Sequence, residues 1–84
     1  TFYVTVCSDI LDIAHNPAVP PDPCGLTSYE LAMILHACGK AGASEFDFVE
    51  LYPAKDPMNT SGHVAVWMSI YFLSGLTKYK FNLK

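Results

Sequence analysis

The stretch Phe2-Tyr3-Val4-Thr5-Val6-Cys7-Ser8-Asp9-Ile10-Leu11-Asp12 constrains this chain more than any other. Its first half is aromatic and β-branched, the composition of a buried strand. Its second half turns at once polar and acidic. In an open α/β sheet, ligands bind just beyond the carboxyl ends of strands. A thiol and two carboxylates therefore stand where such a fold carries its chemistry. Cys7 and Asp9 are two residues apart, and an extended backbone between them would aim both side chains at one face. Two ligand-capable groups on one face, at the mouth of a strand, make half of a metal site.

The chain has 84 residues, 51% of them hydrophobic, with formal charge −3, which is a globular rather than a disordered balance. Its length is near the lower limit for a single core. A strand beginning at residue 2 and a final helical segment apolar nearly all round both read as part of a larger domain, with residues 1–84 its C-terminal portion. There is no arginine, and five lysines against eight acidic residues argue against binding a phosphate backbone. The longest apolar run, Val64 to Leu73, is too short to span a bilayer. Cys7, Cys24 and Cys38 are odd in number and match no zinc spacing, so free thiols in a reducing, cytoplasmic compartment are expected.

Ile13 to Gly25 carries four prolines, which exclude helix and strand interiors and predict a long, stiff loop at the carboxyl end of the strand. His15 within it reads first as a solvated loop residue and second as a substrate contact. Leu26-Thr27-Ser28-Tyr29-Glu30-Leu31 is a helix start: Thr27 as N-cap, Glu30 as its capping-box partner, Leu26 and Leu31 as a hydrophobic staple. Leu31, Ile34, Leu35 and Cys38 follow at helical spacing as a buried face, His36 lies off that face toward solvent, and Gly39 or Gly42 ends the helix.

Phe46 to Tyr52 is the second strand, closed by Tyr52-Pro53. Strand, helix and strand over this distance predict a right-handed βαβ unit with parallel strands. Glu50 then falls on the same rim as Cys7 and Asp9, where it can receive a cationic substrate group or pair with a buried donor. Asp47 faces the other way, toward a neighbouring loop. Thr60 or Ser61 caps a last helix, Val64 through Leu73 packs on all sides, and Gly75 marks its end. The tail from Lys78 to Lys84 could add a strand, cover a subunit contact or fray.

Three blocks now stand in order: Val4 through Asp12, Gly25-Leu26-Thr27-Ser28-Tyr29-Glu30, and Phe46-Asp47-Phe48-Val49-Glu50-Leu51-Tyr52-Pro53. Together they resemble the C-terminal segment of the ureohydrolases (arginase, agmatinase and formimidoylglutamase), over nearly the whole chain, with formimidoylglutamase-like and arginase-like proteins nearest. The resemblance implies a βαβα portion of a three-layer α/β/α domain with a parallel sheet. It implies hydrolysis of a guanidino or formimino carbon–nitrogen bond with two manganese ions. By the same resemblance Asp9 matches the second ligand aspartate of an Asp-x-Asp pair, and Asp12 matches a third acid that supports the turn. Glu50 matches the glutamate of a Glu-x-Asn-Pro element facing the guanidinium-like group, with Tyr52 in place of the asparagine.

Cys7 stands where the first ligand aspartate belongs. A carboxylate can bridge two hard cations, whereas a thiol offers one soft atom and must first lose a proton. Cys7 is then a weaker ligand, a selector of a softer metal, or a thiol open to oxidation with Cys24 as a conceivable partner. The remaining ligands, a histidine and an Asp-x-His-x-Asp motif, belong upstream of this chain. The expected partners are the rest of the same domain, a small-molecule substrate and further copies in a trimer or hexamer. The alternative reading is a non-catalytic relative that has lost its metal cluster and serves a binding or regulatory role. A third is a small α/β domain in which Asp9 and Asp12 are turn residues.

Overall fold

A computed structural model describes residues 1–15, 23–52, 54, 56 and 58–83; the side chain of Ile13 is not among what it describes. The proline-rich segment 16–22, Pro53 and Lys84 therefore lie outside the described residues. The element order is β1 (Tyr3–Cys7), two short 3-10 turns (Ser8–Ile10 and Ile13–His15), α1 (Ser28–Lys40), β2 (Glu45–Val49) and α2 (Thr60–Lys80). This is the βαβα order the sequence predicts. The two strands are parallel neighbours, with Tyr3 opposite Glu45 and Cys7 opposite Val49.

Alternation along the strands sorts the two faces of the sheet. Val4, Val6, Phe46 and Phe48 point inward and join a core of Leu11, Leu31, Ala32, Leu35, Ala43, Met68 and Phe72. Phe46 stacks on Phe72 with ring centroids 5.0 Å apart. Because this core draws on both helices, both cover the same face of the sheet. The opposite face presents Tyr3, Thr5, Glu45, Asp47 and Val49 to solvent. Among the described residues, the Asp47 carboxylate accepts not from a loop but from the hydroxyl of Thr5, directly across the ladder.

The start of α1 is as predicted. Glu30 N–H donates to Thr27 Oγ1 at 3.1 Å and Thr27 N–H donates to Glu30 Oε1 at 3.0 Å. Leu31 belongs to the core and Leu26, half-buried, packs against it. The helix ends in a Schellman motif, with Ala43 N–H donating to the Cys38 carbonyl and Gly42 N–H to that of Gly39. Gly42 is the terminator, at φ 88, a conformation that favours glycine. Gly39 lies inside the helix and is buried.

The buried face of α1 differs from the expected stripe. It runs through Leu31, Ala32, Leu35 and Gly39, with Cys38 at its edge, while Ile34 is 47% exposed. The reason is the close crossing of α2. A Cβ on Gly39 would fall 2.2 Å from the Phe72 carbonyl oxygen, and one on Gly75 would fall 2.0 Å from that of His36. Backbones this close turn the small residues inward and leave Ile34 on the flank. His36 lies off the buried face as expected and is half-buried beside α2, with its Nδ1 2.9 Å from Ser74 Oγ.

The crossing also overturns Gly75 as a helix end. The helix continues to Lys80, and a second Schellman motif closes it, with Asn82 at φ 53 in the position Gly42 takes in α1. The tail thus opens as the last turn of a helix, over Lys78 to Lys80. At its start, neither Thr60 nor Ser61 is the cap. Asn59 takes that position, and the carboxylate of Asp56 accepts from Thr60 N–H and Ser61 N–H, each at 2.9 Å. Nor is α2 buried all round: Met68, Phe72 and Gly75 face the core, but Val66, Trp67, Ile70 and Leu73 are each 45% exposed or more.

Candidate active site

The candidate site is the rim where β1 and β2 end. Cys7 is the last residue of β1, and the chain turns immediately into the 3-10 turn Ser8–Ile10. The extended link between Cys7 and Asp9 is therefore absent. The tight turn brings the two side chains into one neighbourhood by another route. The nearby Asp9 carboxylate, above all, holds the Cys7 thiol above its ordinary value; burial and the negative charges of Asp9 and Glu50 push the same way, against the Asp9 backbone N–H.

Between them, Ser8 turns inward and is 1% exposed. Its hydroxyl donates to the backbone carbonyl of Glu50 at 2.7 Å. This bond ties the end of β2 to the turn after β1. The strand β2 stops at Val49 rather than Tyr52, because Glu50 at φ 69 leaves the extended conformation. Glu50 is nevertheless on the rim, and its Oε2 accepts from the hydroxyl of Tyr52. That bond, then the charge of Glu50, raises the Tyr52 phenol, with Cys7 and Asp9 adding to the effect. Cys7, Asp9, Glu50 and Tyr52 thus share one electrostatic neighbourhood. Neither Ser8 nor Tyr52 stands out in the sequence as a site residue; the signals are the place of Ser8 between Cys7 and Asp9 and that of Tyr52 at the asparagine position of the Glu-x-Asn-Pro element.

Asp12 supports the loop behind the rim. Its Oδ1 accepts from Cys24 N–H at 2.8 Å and its Oδ2 from Ala14 N–H at 3.0 Å. These bonds, with that of Ala14 foremost, lower its pKa below the ordinary aspartate value. The loop returns at Gly25, where a Cβ would sit 2.7 Å from both Asp12 N and Ile10 O, so only glycine passes. His15 is drawn to the start of α1: its Nδ1 accepts from Ser28 N–H at 3.1 Å. A neutral ring bonded this way keeps its proton on Nε2.

Asp9 offers hard oxygen donors and Cys7 one soft sulfur. Among the described residues, no three of His, Cys, Asp and Glu are grouped closely enough to hold a metal ion. The rim fits part of a metal site, with two donors where a complete site takes four or more. Cys7, Cys24 and Cys38 are all free thiols, so Cys7 is not bonded to Cys24. A groove of about 510 Å³ runs between the N-terminal halves of the two helices, lined by Tyr29, His63, Trp67 and Tyr71 among others. None of Cys7, Asp9 or Glu50 lines it, so its size does not make it the site.

A family model for arginases matches residues 1–74. The chain belongs to the arginase family. Solved structures agree in fold. Formimidoylglutamase from Bacillus subtilis superposes with a TM-score of 0.85 at 25% identity, over 92% of this chain and 25% of that one. The oxidised, manganese-containing formiminoglutamase of Trypanosoma cruzi gives 0.77 at 28% identity, over 90% and 26%. The agmatine ureohydrolase of Thermoplasma volcanium gives 0.76 at 33% identity, over 93% and 27%. Among curated proteins, no sequence matches significantly. This arginase-family chain spans about a quarter of the length of the solved structures it matches.

Proposed function

We propose that this chain is part of a manganese-dependent ureohydrolase that hydrolyses a guanidino or formimino carbon–nitrogen bond, on a formimidoylglutamate- or arginine-like substrate. The observation that carries the reading is the meeting of Asp9 and Cys7 with Glu50 on one rim of an arginase-family fold. Asp9 would hold the metal, with Cys7 as a weak second donor. Bound manganese supplies Lewis acidity that activates water. Glu50 would receive the planar cationic group of the substrate, a task suited to an exposed carboxylate with two acceptor oxygens. His15, through the ring edge that does not face Ser28, would contact the rest of the substrate. The remaining donors would come from polypeptide beyond these 84 residues, and the protein would assemble as a trimer or hexamer. Three free thiols support a cytoplasmic setting.

Replacing Asp9 by Ala in the manganese-loaded protein should abolish hydrolysis and lower bound metal. Full activity in that variant would sink the assignment. Cys7 favours one alternative, a non-catalytic relative with a binding or regulatory role. Metal analysis after manganese loading, with and without a thiol reductant, separates the two. Two ions per subunit under reduction support the enzyme, and no metal under either condition supports the alternative.

A further inference from the structure

Glu50 is held twice, by contacts of different kinds. Its backbone sits at φ 69, in the left-handed region that a non-glycine residue occupies only at an energetic cost. The bond from Ser8 to its carbonyl holds it there, and Ser8 is itself buried in the turn between Cys7 and Asp9. Backbone strain of this kind concentrates where a side chain must be aimed. A glutamate, however, keeps its own torsions even when its backbone is fixed, and the Glu50 side chain is exposed. The second contact removes that freedom, because the Tyr52 hydroxyl reaches back across one residue and donates to Oε2. A tyrosine delivers its donor on a rigid ring with two torsions. Since Tyr52 stays protonated across the physiological range, it remains a donor. Oε1 and a remaining lone pair on Oε2 are left for a ligand.

We propose that Tyr52 is a positioning residue, whose hydroxyl holds the Glu50 carboxylate in one orientation to receive the planar amidine or guanidine group of the substrate. The inference rests on the ureohydrolase reading, which assigns Glu50 to the substrate. Tyr52 acts on the ground state and the transition state alike, since the same carboxylate meets the same cation in both. Its loss should therefore appear mainly in KM.

The test is a double-mutant cycle with Tyr52→Phe and Glu50→Gln in the manganese-loaded protein, assayed with formimidoylglutamate and arginine. Tyr52→Phe should raise KM about tenfold, the scale of one hydrogen bond to a charged group, with kcat within about threefold. In the Glu50→Gln background, Tyr52→Phe should add nothing further. An equal effect in both backgrounds, or a fall in kcat alone, would overturn the proposal. Should the parent protein hydrolyse neither substrate, the ureohydrolase reading fails and the clamp is still decided by NMR. With tyrosine labelled at Cζ, Glu50→Gln should lower the titration midpoint of Tyr52, and an unmoved midpoint refutes the contact.

Discussion

Asp12 shows how much one side chain can organise without being buried. Its carboxylate accepts from backbone N–H groups on both sides of the loop that leaves and returns behind the rim. Since its folded-state pKa is lowered, the unfolded chain binds the proton more readily. The stability it contributes is present above the ordinary aspartate value of 3.8 and is lost as pH falls through the lower folded value. Thermal melts of the protein and of Asp12→Asn between pH 6 and pH 3 should therefore converge toward the acid end. A constant gap would show that the bonds survive protonation. The same scale separates Asp12 from Asp9: one is satisfied by backbone, the other faces a thiol. Both follow a strand and both are acidic, so spacing by itself could not divide the roles.

At the scale of elements, the crossing of α1 and α2 rests on Gly39 and Gly75. Helix propensity alone says that Gly→Ala in a helix interior stabilises by about 1 kcal/mol. The structure reverses the sign, since each added methyl would meet backbone of the other helix at 2.2 Å or less. Gly39→Ala or Gly75→Ala should destabilise by about 1–3 kcal/mol as the helices are forced apart. Chemical denaturation reads this directly, and a gain in either variant would contradict the packing. The caps illustrate the limits of local reading. The capping box of α1 was legible because all its members lie within four positions of one another. The cap of α2 was not, because Asp56 reaches forward over Asn59 to Thr60 and Ser61, which are themselves good cap formers.

For the whole molecule, the decisive feature is that, among the described residues, one face of the sheet and one face of α2 are covered. Val66, Trp67, Ile70 and Leu73 stand outward on α2, and Tyr3 and Val49 on the sheet. An apolar surface of this kind favours association. Produced by itself, the 84-residue chain should self-associate, and Trp67→Glu with Leu73→Glu should reduce that association in sedimentation equilibrium. A chain that stays monomeric at high concentration without these changes would count against it.

The sequence by itself determined the order of elements, the parallel pairing, the start of α1 and the family. These rest on period, turn chemistry and ordered motifs, all of them local along the chain. It also placed Cys7, Asp9 and Glu50 on one rim, since parallel strands put their carboxyl ends together. Only the tertiary structure decided that a 3-10 turn, not an extended strand, brings Cys7 to Asp9. Only it decided that Ser8 and Tyr52 hold Glu50, and that Ile34 yields its place in the core to Gly39. Each of these depends on how closely two backbones approach, a quantity set by the packed whole and not by any one stretch of residues.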